Sequence, residues 1–405
     1  MAPPERDLRL MAFMPAPKHP LFIAVSKGFE FSLKWVIMHA NNVPALNIGD
    51  LHINPPIIQG GMGVKVSGAN LAAAVADTGC AGIISSAGLG QFEDCPRGDL
   101  LGQAVESLRQ EIRKARAMSD GIIGVNIMHV LSHYAQLAKA SVEENVDLII
   151  SGAGLPLDLP GFLDGKNIKL VPIVSSARTF KIICKRWNLH YNKLPDAVVV
   201  EGPKAGGHLG YTSESLLDNT APNLDEIVTE VLDVANSFPK KIPVIAAGGI
   251  FDGWDIAHYL RLGAAGVQMA TRFVCTDECD VDINFKKAYL NAHSEDDITI
   301  IKSPVGLPGR VIKSEFVEKV KRGETIPFKC SYKCLKTCDP TTAPYCIAKV
   351  LANAARGQLD KGFAFAGSNA YLCDKIVPVK SLVQELTEQL EEALTNPVKN
   401  KCSIK

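Results

Sequence analysis

Eight times along the chain, a short β-branched apolar run is followed by a glycine-containing loop and then an amphipathic segment. The runs are Pro56-Ile-Ile-Gln59, Ala81-Gly-Ile-Ile84, Ile122-Ile-Gly-Val-Asn126, Asp147-Leu-Ile-Ile150, Lys169-Leu-Val-Pro-Ile-Val174, Ala197-Val-Val-Val200, Pro243-Val-Ile-Ala246 and Gly266-Val-Gln-Met269. Near-continuous apolar strands with helical crossovers are buried on both faces, which calls for a parallel sheet. Eight such units between about Leu51 and Asn291 match the count and length of an α/β (β/α)8 TIM barrel. A doubly wound open sheet is the main competitor, but loops suited to a phosphate follow the last two runs, where barrels place them, and not the first.

The segments between the runs read as helices. Ser67 is positioned to cap a helix from Gly68 to Thr78, with Gly79 ending it. Leu101, Val105, Leu108 and Ile112 recur at helical spacing with charges between them, which is core packing. The organisation expected is an N-terminal tail over 1–47, a barrel over 48–295 and a helical, cysteine-containing extension over 296–405. The tail is Pro-rich, then mixed basic and apolar, and lacks a clean apolar core and small-residue cleavage site. It reads as an extended or frayed end, with a transit peptide as the alternative.

With 405 residues and 47% hydrophobic content, the chain has material for a large core. Lys and Arg number 43, as do Asp and Glu. That balance offers no basic footprint for nucleic acid or an anionic membrane and favours a small-molecule ligand. No apolar stretch reaches the roughly 18 residues of a membrane helix. Eleven cysteines, an odd number, without a convincing secretion signal, point to a reducing, cytoplasmic setting.

Seven cysteines are scattered: Cys80, Cys95, Cys184, Cys275, Cys279, Cys373 and Cys402. The other four, Cys330, Cys334, Cys338 and Cys346, fall inside seventeen residues. They are candidate ligands for a soft metal or an iron–sulfur cluster beside the barrel mouth. Their gaps of three, three and seven fit neither a zinc site nor a ferredoxin run, and a metal-free structural segment is the competing reading.

Three loops carry the expected chemistry. Glu201-Gly-Pro-Lys-Ala-Gly-Gly-His-Leu-Gly210 follows the sixth run and presents His208, the side chain suited to proton transfer near neutral pH. Pro243-Val-Ile-Ala-Ala-Gly-Gly-Ile250 ends in two glycines ahead of a helix beginning near Gly253, and Gly266-Val-Gln-Met-Ala-Thr-Arg-Phe273 offers the Thr271 hydroxyl. Backbone N–H groups of two such loops can cradle one phosphate. Gly152-Ala-Gly154 imitates a dinucleotide fingerprint but lacks its third glycine and acidic partner, and reads as a tight turn.

Taken in order, Ile57-Ile-Gln-Gly-Gly-Met-Gly63, Gly124-Val-Asn126, Ser151-Gly-Ala-Gly-Leu-Pro156, Ala205-Gly-Gly-His208, Ala246-Ala-Gly-Gly249 and Gln268-Met-Ala-Thr-Arg272 resemble the nitronate monooxygenase (2-nitropropane dioxygenase) superfamily, which includes FMN-dependent enoyl-acyl-carrier-protein reductases. The resemblance spans roughly residues 50 to 290 and implies FMN at the barrel mouth. It implies that Gly60, Gly61 and Met62 run beside the flavin ring, that Asn126 hydrogen-bonds to it, and that Glu201, Gly206 and Gly207 lie against it. Gly248, Gly249, Gln268, Met269, Ala270 and Thr271 would hold the ribityl phosphate, and His208 matches the catalytic histidine. Two features depart from the family. Ile173-Val-Ser-Ser176 stands where some nitronate enzymes carry a lysine. Cys330–Cys346 and the following Phe363-Ala-Phe-Ala-Gly-Ser-Asn-Ala-Tyr371 lie outside the minimal nitronate enzyme.

Oxidation of alkyl nitronates with O2 is the first reading, and NAD(P)H-dependent reduction of an enoyl thioester on ACP or CoA is the second. A sugar-phosphate aldolase or isomerase working through Lys204, or a non-enzymatic flavin-binding protein, is the remoter alternative.

Overall fold

The computed structural model describes residues 43–90, 100–330 and 333–396. The tail up to residue 42, Cys95 and Cys402, and the side chain of Leu101, lie outside the described residues. Among the described residues thirteen strands form: β1 (Leu46–Ile48), β2 (Leu51–Ile53), β3 (Ile57–Gln59), β4 (Gly82–Ser85), β5 (Ile123–Met128), β6 (Leu148–Gly152), β7 (Lys169–Val174), β8 (Val198–Glu201), β9 (Gly207–His208), β10 (Val244–Ala247), β11 (Gly266–Met269), β12 (Ile298–Lys302) and β13 (Pro308–Ile312). Each of the eight apolar runs became one strand of a parallel sheet ordered β3-β11-β10-β8-β7-β6-β5-β4. A parallel bridge between Ile58 and Ala81 closes that order into a barrel.

Because side chains alternate along a strand, each run feeds two cores. Ile58, Ile83, Ile150, Val171, Val199 and Ile245 fill the barrel interior, while Ile84, Val125, Ile149, Leu170, Val198 and Val244 face the surrounding helices. The hairpin β1–β2 adds Leu46, Ile48 and Ile53, all fully buried, to the interior cluster. Leu46 packs on Gly266, the first residue of β11, so the hairpin plugs the N-terminal end of the barrel and leaves the C-terminal end for the site. Residues 43–47 of the stretch read as tail are thus part of the described fold, with Leu46 in β1.

The helix after β3 spans Ala69–Ala76, and its capping departs from the local rule. Ser67 does not cap it; the Ser67 hydroxyl accepts from the Met62 N–H instead. The free N–H groups go to carboxylates supplied from elsewhere: Gly68 and Leu71 donate to Asp280 Oδ2 at 2.8 and 3.2 Å, and Ala69 to Glu111 Oε2 at 2.7 Å. Charged acceptors complement the helix dipole better than a hydroxyl. Gly79 ends the segment as expected, at φ +84°.

The extension contains the expected helices, Glu315–Lys321, Ile347–Ala355 and Val379–Thr395, and also the hairpin β12–β13, which periodicity did not disclose. It folds back on the barrel. The last helix buries Leu382, Leu386 and Leu390, and its Gln389 Oε1 accepts the first N–H of the helix Gly253–Leu262 at 2.9 Å. Among the described residues no helix is long and apolar enough to cross a membrane.

Candidate active site

The C-terminal ends of the barrel strands surround a cavity of about 240 Å³. All thirteen positions expected to hold a cofactor, and His208, line it. Gly152 and Ala153, read from sequence as a mere turn, line it too, whereas Lys204 is exposed and outside the wall.

His208 sits in a short strand, where the sequence suggested a loop. β9 pairs antiparallel with β13, His208 opposite Gly309 and Gly207 opposite Arg310, in the three-stranded sheet β12-β13-β9. The extension thus supplies the frame that holds the histidine. Ser303, just beyond β12, brings its hydroxyl to 2.8 Å from His208 Nε2. The Phe365 ring meets the imidazole edge-on, with centroids 4.8 Å apart. Arg310 clamps the loop from below, donating to the carbonyls of Pro203 at 2.6 Å and Ala205 at 3.1 Å. Both His208 and Glu201 look into the cavity with protein on every other side. Burial pushes the imidazole down to about 4 and the Glu201 carboxyl up to about 7, because a low-dielectric surround disfavours either charged form.

The segment 364–369 is the other half of the wall. Ala366 N–H donates to Arg310 O, which adds this segment to the edge of β13. Gly367 N–H donates to Thr271 Oγ1 at 3.3 Å, Ser368 N–H to Lys204 O at 3.0 Å, and the Asn369 amide to Gly249 O at 2.7 Å. One stretch of the extension therefore ties together the loops after β8, β10 and β11. Gly206 is where the approach is closest: a Cβ there would stand 2.6 Å from the Ala366 carbonyl carbon and 2.7 Å from Gly367 N. Ser303, Arg310, Phe365, Gly367 and Asn369 were not among the residues picked from sequence. The one available signal was the Phe363–Tyr371 motif, which stood out without a role.

Two observations test whether the wall suits a flavin. Gln268 Oε1 is buried without a partner, and an orphaned buried acceptor costs about 1–3 kcal/mol; a ligand N–H would satisfy it. Gly207 takes φ +77°, and a Cβ there would meet nothing within 4 Å, so the wall is open on that side. Both fit a flat heterocycle bearing N–H groups.

The four clustered cysteines stand near enough for their thiols to influence one another. They are free thiols, and among the described residues no three of His, Cys, Asp and Glu stand together as a metal site requires. Cys330 Sγ accepts from the Lys333 N–H, Cys334 O accepts from Ser132 N–H, and Cys346 precedes the helix Ile347–Ala355 as its cap residue. Burial pushes the Cys334 thiol up to about 12, with the neighbouring cysteines adding in the same direction. The segment's role is to cover the loop after β5, through pairing of Leu335 with Leu131.

The site is thus a closed (β/α)8 barrel whose glycine-lined C-terminal mouth presents a half-buried histidine and is covered by the chain's own C-terminal extension. The chain belongs to the nitronate monooxygenase family, whose model matches residues 46–146 and 130–389. It is 32% identical over 272 residues to 5-hydroxy-7a-methyl-1-oxo-octahydro-1H-indene-4-carboxyl-CoA dehydrogenase of Mycobacterium tuberculosis, covering 67% of this chain and 66% of that one, just under two thirds of the relative. A nitronate monooxygenase of Paraburkholderia phytofirmans is 26% identical over 383 residues, covering 85% of this chain and 94% of the relative. The structure of FabK from Thermotoga maritima superposes with a TM-score of 0.65 at 29% identity, covering 84% of this chain and 94% of that one.

Proposed function

We propose that the protein is an FMN-dependent oxidoreductase acting on a neutral acyl thioester carried by coenzyme A or acyl carrier protein, with NAD(P)H as the partner reductant or oxidant. The observation that carries this reading is the charge of the wall. Among the described lining residues there is no Lys or Arg, His208 stays neutral down to about pH 4, and Glu201 ionises only near pH 7. A nitronate is an anion, and burying an anion without a cation costs several kcal/mol. A thioester carbonyl carries no charge and asks only for hydrogen-bond donors. The relative named as a carboxyl-CoA dehydrogenase supports the same substrate class.

FMN would be held by Gly248, Gly249, Met269, Ala270 and Thr271 at its phosphate end, where barrels of this kind seat phosphates, while the Gln268 Oε1 would accept from a ring N–H. Gly60, Gly61, Met62, Asn126, Gly206 and Gly207 would flank its ring, with Glu201 nearby. When bound, it supplies two-electron hydride exchange. The chain's own side chains handle protons and orientation. His208, oriented by Ser303 at Nε2, accepts or donates a proton as a neutral imidazole, and Glu201 holds a proton near neutral pH. Phe365 and the segment behind it exclude water from the His208 side of the cavity.

Nitronate oxidation with O2 remains as a second reading because the alignment with the Paraburkholderia enzyme runs through the extension that builds the site. An aldolase reading loses its lysine, since Lys204 lies outside the wall. The deciding experiment is anaerobic: flavin bleaching is followed separately with NADH, NADPH, an acyl-CoA and an alkyl nitronate. The thioester reading expects bleaching by a nicotinamide or a saturated acyl-CoA, and reoxidation by an enoyl-CoA. Bleaching by the nitronate alone overturns it.

A further inference from the structure

Behind the loops that close the active-site cavity lies a second one, of about 190 Å³, whose wall includes Arg272, Cys275, Cys373, Lys375 and Glu385. Two otherwise buried thiols, Cys275 and Cys373, line this polar space together and stand near enough to influence each other's ionisation. Their positions in the chain are telling. Cys275 directly follows the short helix Thr271–Val274, and Cys373 directly follows the turn Ala370–Leu372. Each is therefore the downstream anchor of a segment that closes the first cavity, where Gly367 binds Thr271 and Asn369 binds Gly249. The two segments also run side by side: Val377 N–H donates to Cys275 O at 3.2 Å and Asp277 N–H to Val377 O at 3.1 Å.

We propose that Cys275 and Cys373 form a modification site, a dithiol that hydrogen peroxide converts reversibly to a disulfide, locking together the two segments that close the active site. The pair is unequal, as such a site needs. The neighbouring Cys275 thiol and the nearby Arg272 guanidinium lower the Cys373 thiol, while the neighbouring Cys373 and burial raise Cys275. Cys373 is thus the attacking thiolate and Cys275 the resolving thiol. In the first step Cys373 sulfur bonds to one peroxide oxygen, the O–O bond breaks, and the departing hydroxide takes the proton Cys373 released, giving a sulfenic acid and water. In the second, Cys275 sulfur displaces hydroxide from that sulfenic acid, the S–S bond forms, and the Cys275 proton leaves with it as a second water. Two thiols are oxidised by two electrons and one peroxide is reduced to two waters. Isolated buried thiols are inert; here the polar cavity gives a small neutral oxidant its access.

The test uses the full chain as purified, reduced, then exposed to graded hydrogen peroxide, alkylated and mapped as non-reduced peptides. A Cys275–Cys373 cross-linked peptide is expected, reversed by dithiothreitol, with a higher thermal midpoint for the oxidised than the reduced form. In Cys275→Ala, which keeps the attacking thiol, a sulfenic-acid probe is expected to label Cys373. Alkylation of both cysteines after peroxide, cross-linking of either to another cysteine, no Cys373 labelling in folded Cys275→Ala, or an unchanged midpoint overturns the proposal. Because the cross-link is read by mass, this result stands apart from whether the first cavity binds flavin.

Discussion

Replacing Gly206 by alanine probes the contact between barrel and extension. The new Cβ would stand 2.6 Å from the Ala366 carbonyl carbon, and an ordinary contact of 3.4 Å requires a shift of 0.8 Å. Both partners are backbone, so no rotamer change relieves the clash. Moving residues 366–368 away stretches Gly367 N–H to Thr271 Oγ1, already 3.3 Å, and Ser368 N–H to Lys204 O at 3.0 Å. Overpacking costs about 1–3 kcal/mol, and two weakened hydrogen bonds add about 1 kcal/mol each. A loss of about 4 kcal/mol lowers the midpoint by roughly 5 °C in a chain of this size. Gly207→Ala is the matched control. Its methyl collides with nothing within 4 Å, so only the left-handed φ penalty of about 1–2 kcal/mol applies, while the methyl enters the space assigned to the flavin. Thermal melts of the two apoproteins, with cofactor retention measured in parallel, should show Gly206→Ala as the less stable and Gly207→Ala as losing affinity with little loss of fold. A Gly206→Ala melt within about 2 °C of the parent, or a reversed order, refutes the reasoning.

His208→Ala should keep the cofactor but lose turnover by about 100- to 10,000-fold; loss of cofactor with a normal rate per bound flavin would make the histidine structural. Burial raises the Glu201 carboxyl from 4.5 to about 7, so the folded state keeps a proton the unfolded state loses, and stability falls as pH rises through that window. Glu201→Gln apoprotein should accordingly match the parent near pH 4.5 and exceed it at pH 8 by up to about 3 kcal/mol in urea unfolding, and a parent stabilised on going to pH 8 through this residue contradicts the assignment. Asn369→Ala removes the bond to Gly249 O and should weaken flavin binding up to about tenfold, read by fluorescence titration, with unchanged affinity arguing that the loop stands without the extension.

The barrel was legible because each strand is a run of residues such as Val198-Val-Val, buried on both faces and bounded by glycine, a signal contained within a few residues. The cavity lining was legible for the same reason: its positions lie at the ends of those runs. What escaped depends on contacts distant in sequence. β9 is two residues long and exists because β13 pairs with it, so no periodicity announces it. Ser67 satisfied the local capping rule, yet Asp280, 212 residues away, took the helix N-terminus.

The central claim, that the capped barrel mouth is an FMN site, is tested most directly by identifying what the purified protein carries. Heat-released cofactor from protein expressed with ample riboflavin is separated by chromatography and quantified per chain. The account predicts one FMN per chain in the parent, with phosphate-end variants at Gly249 losing it. FAD, or no flavin at all, would contradict it.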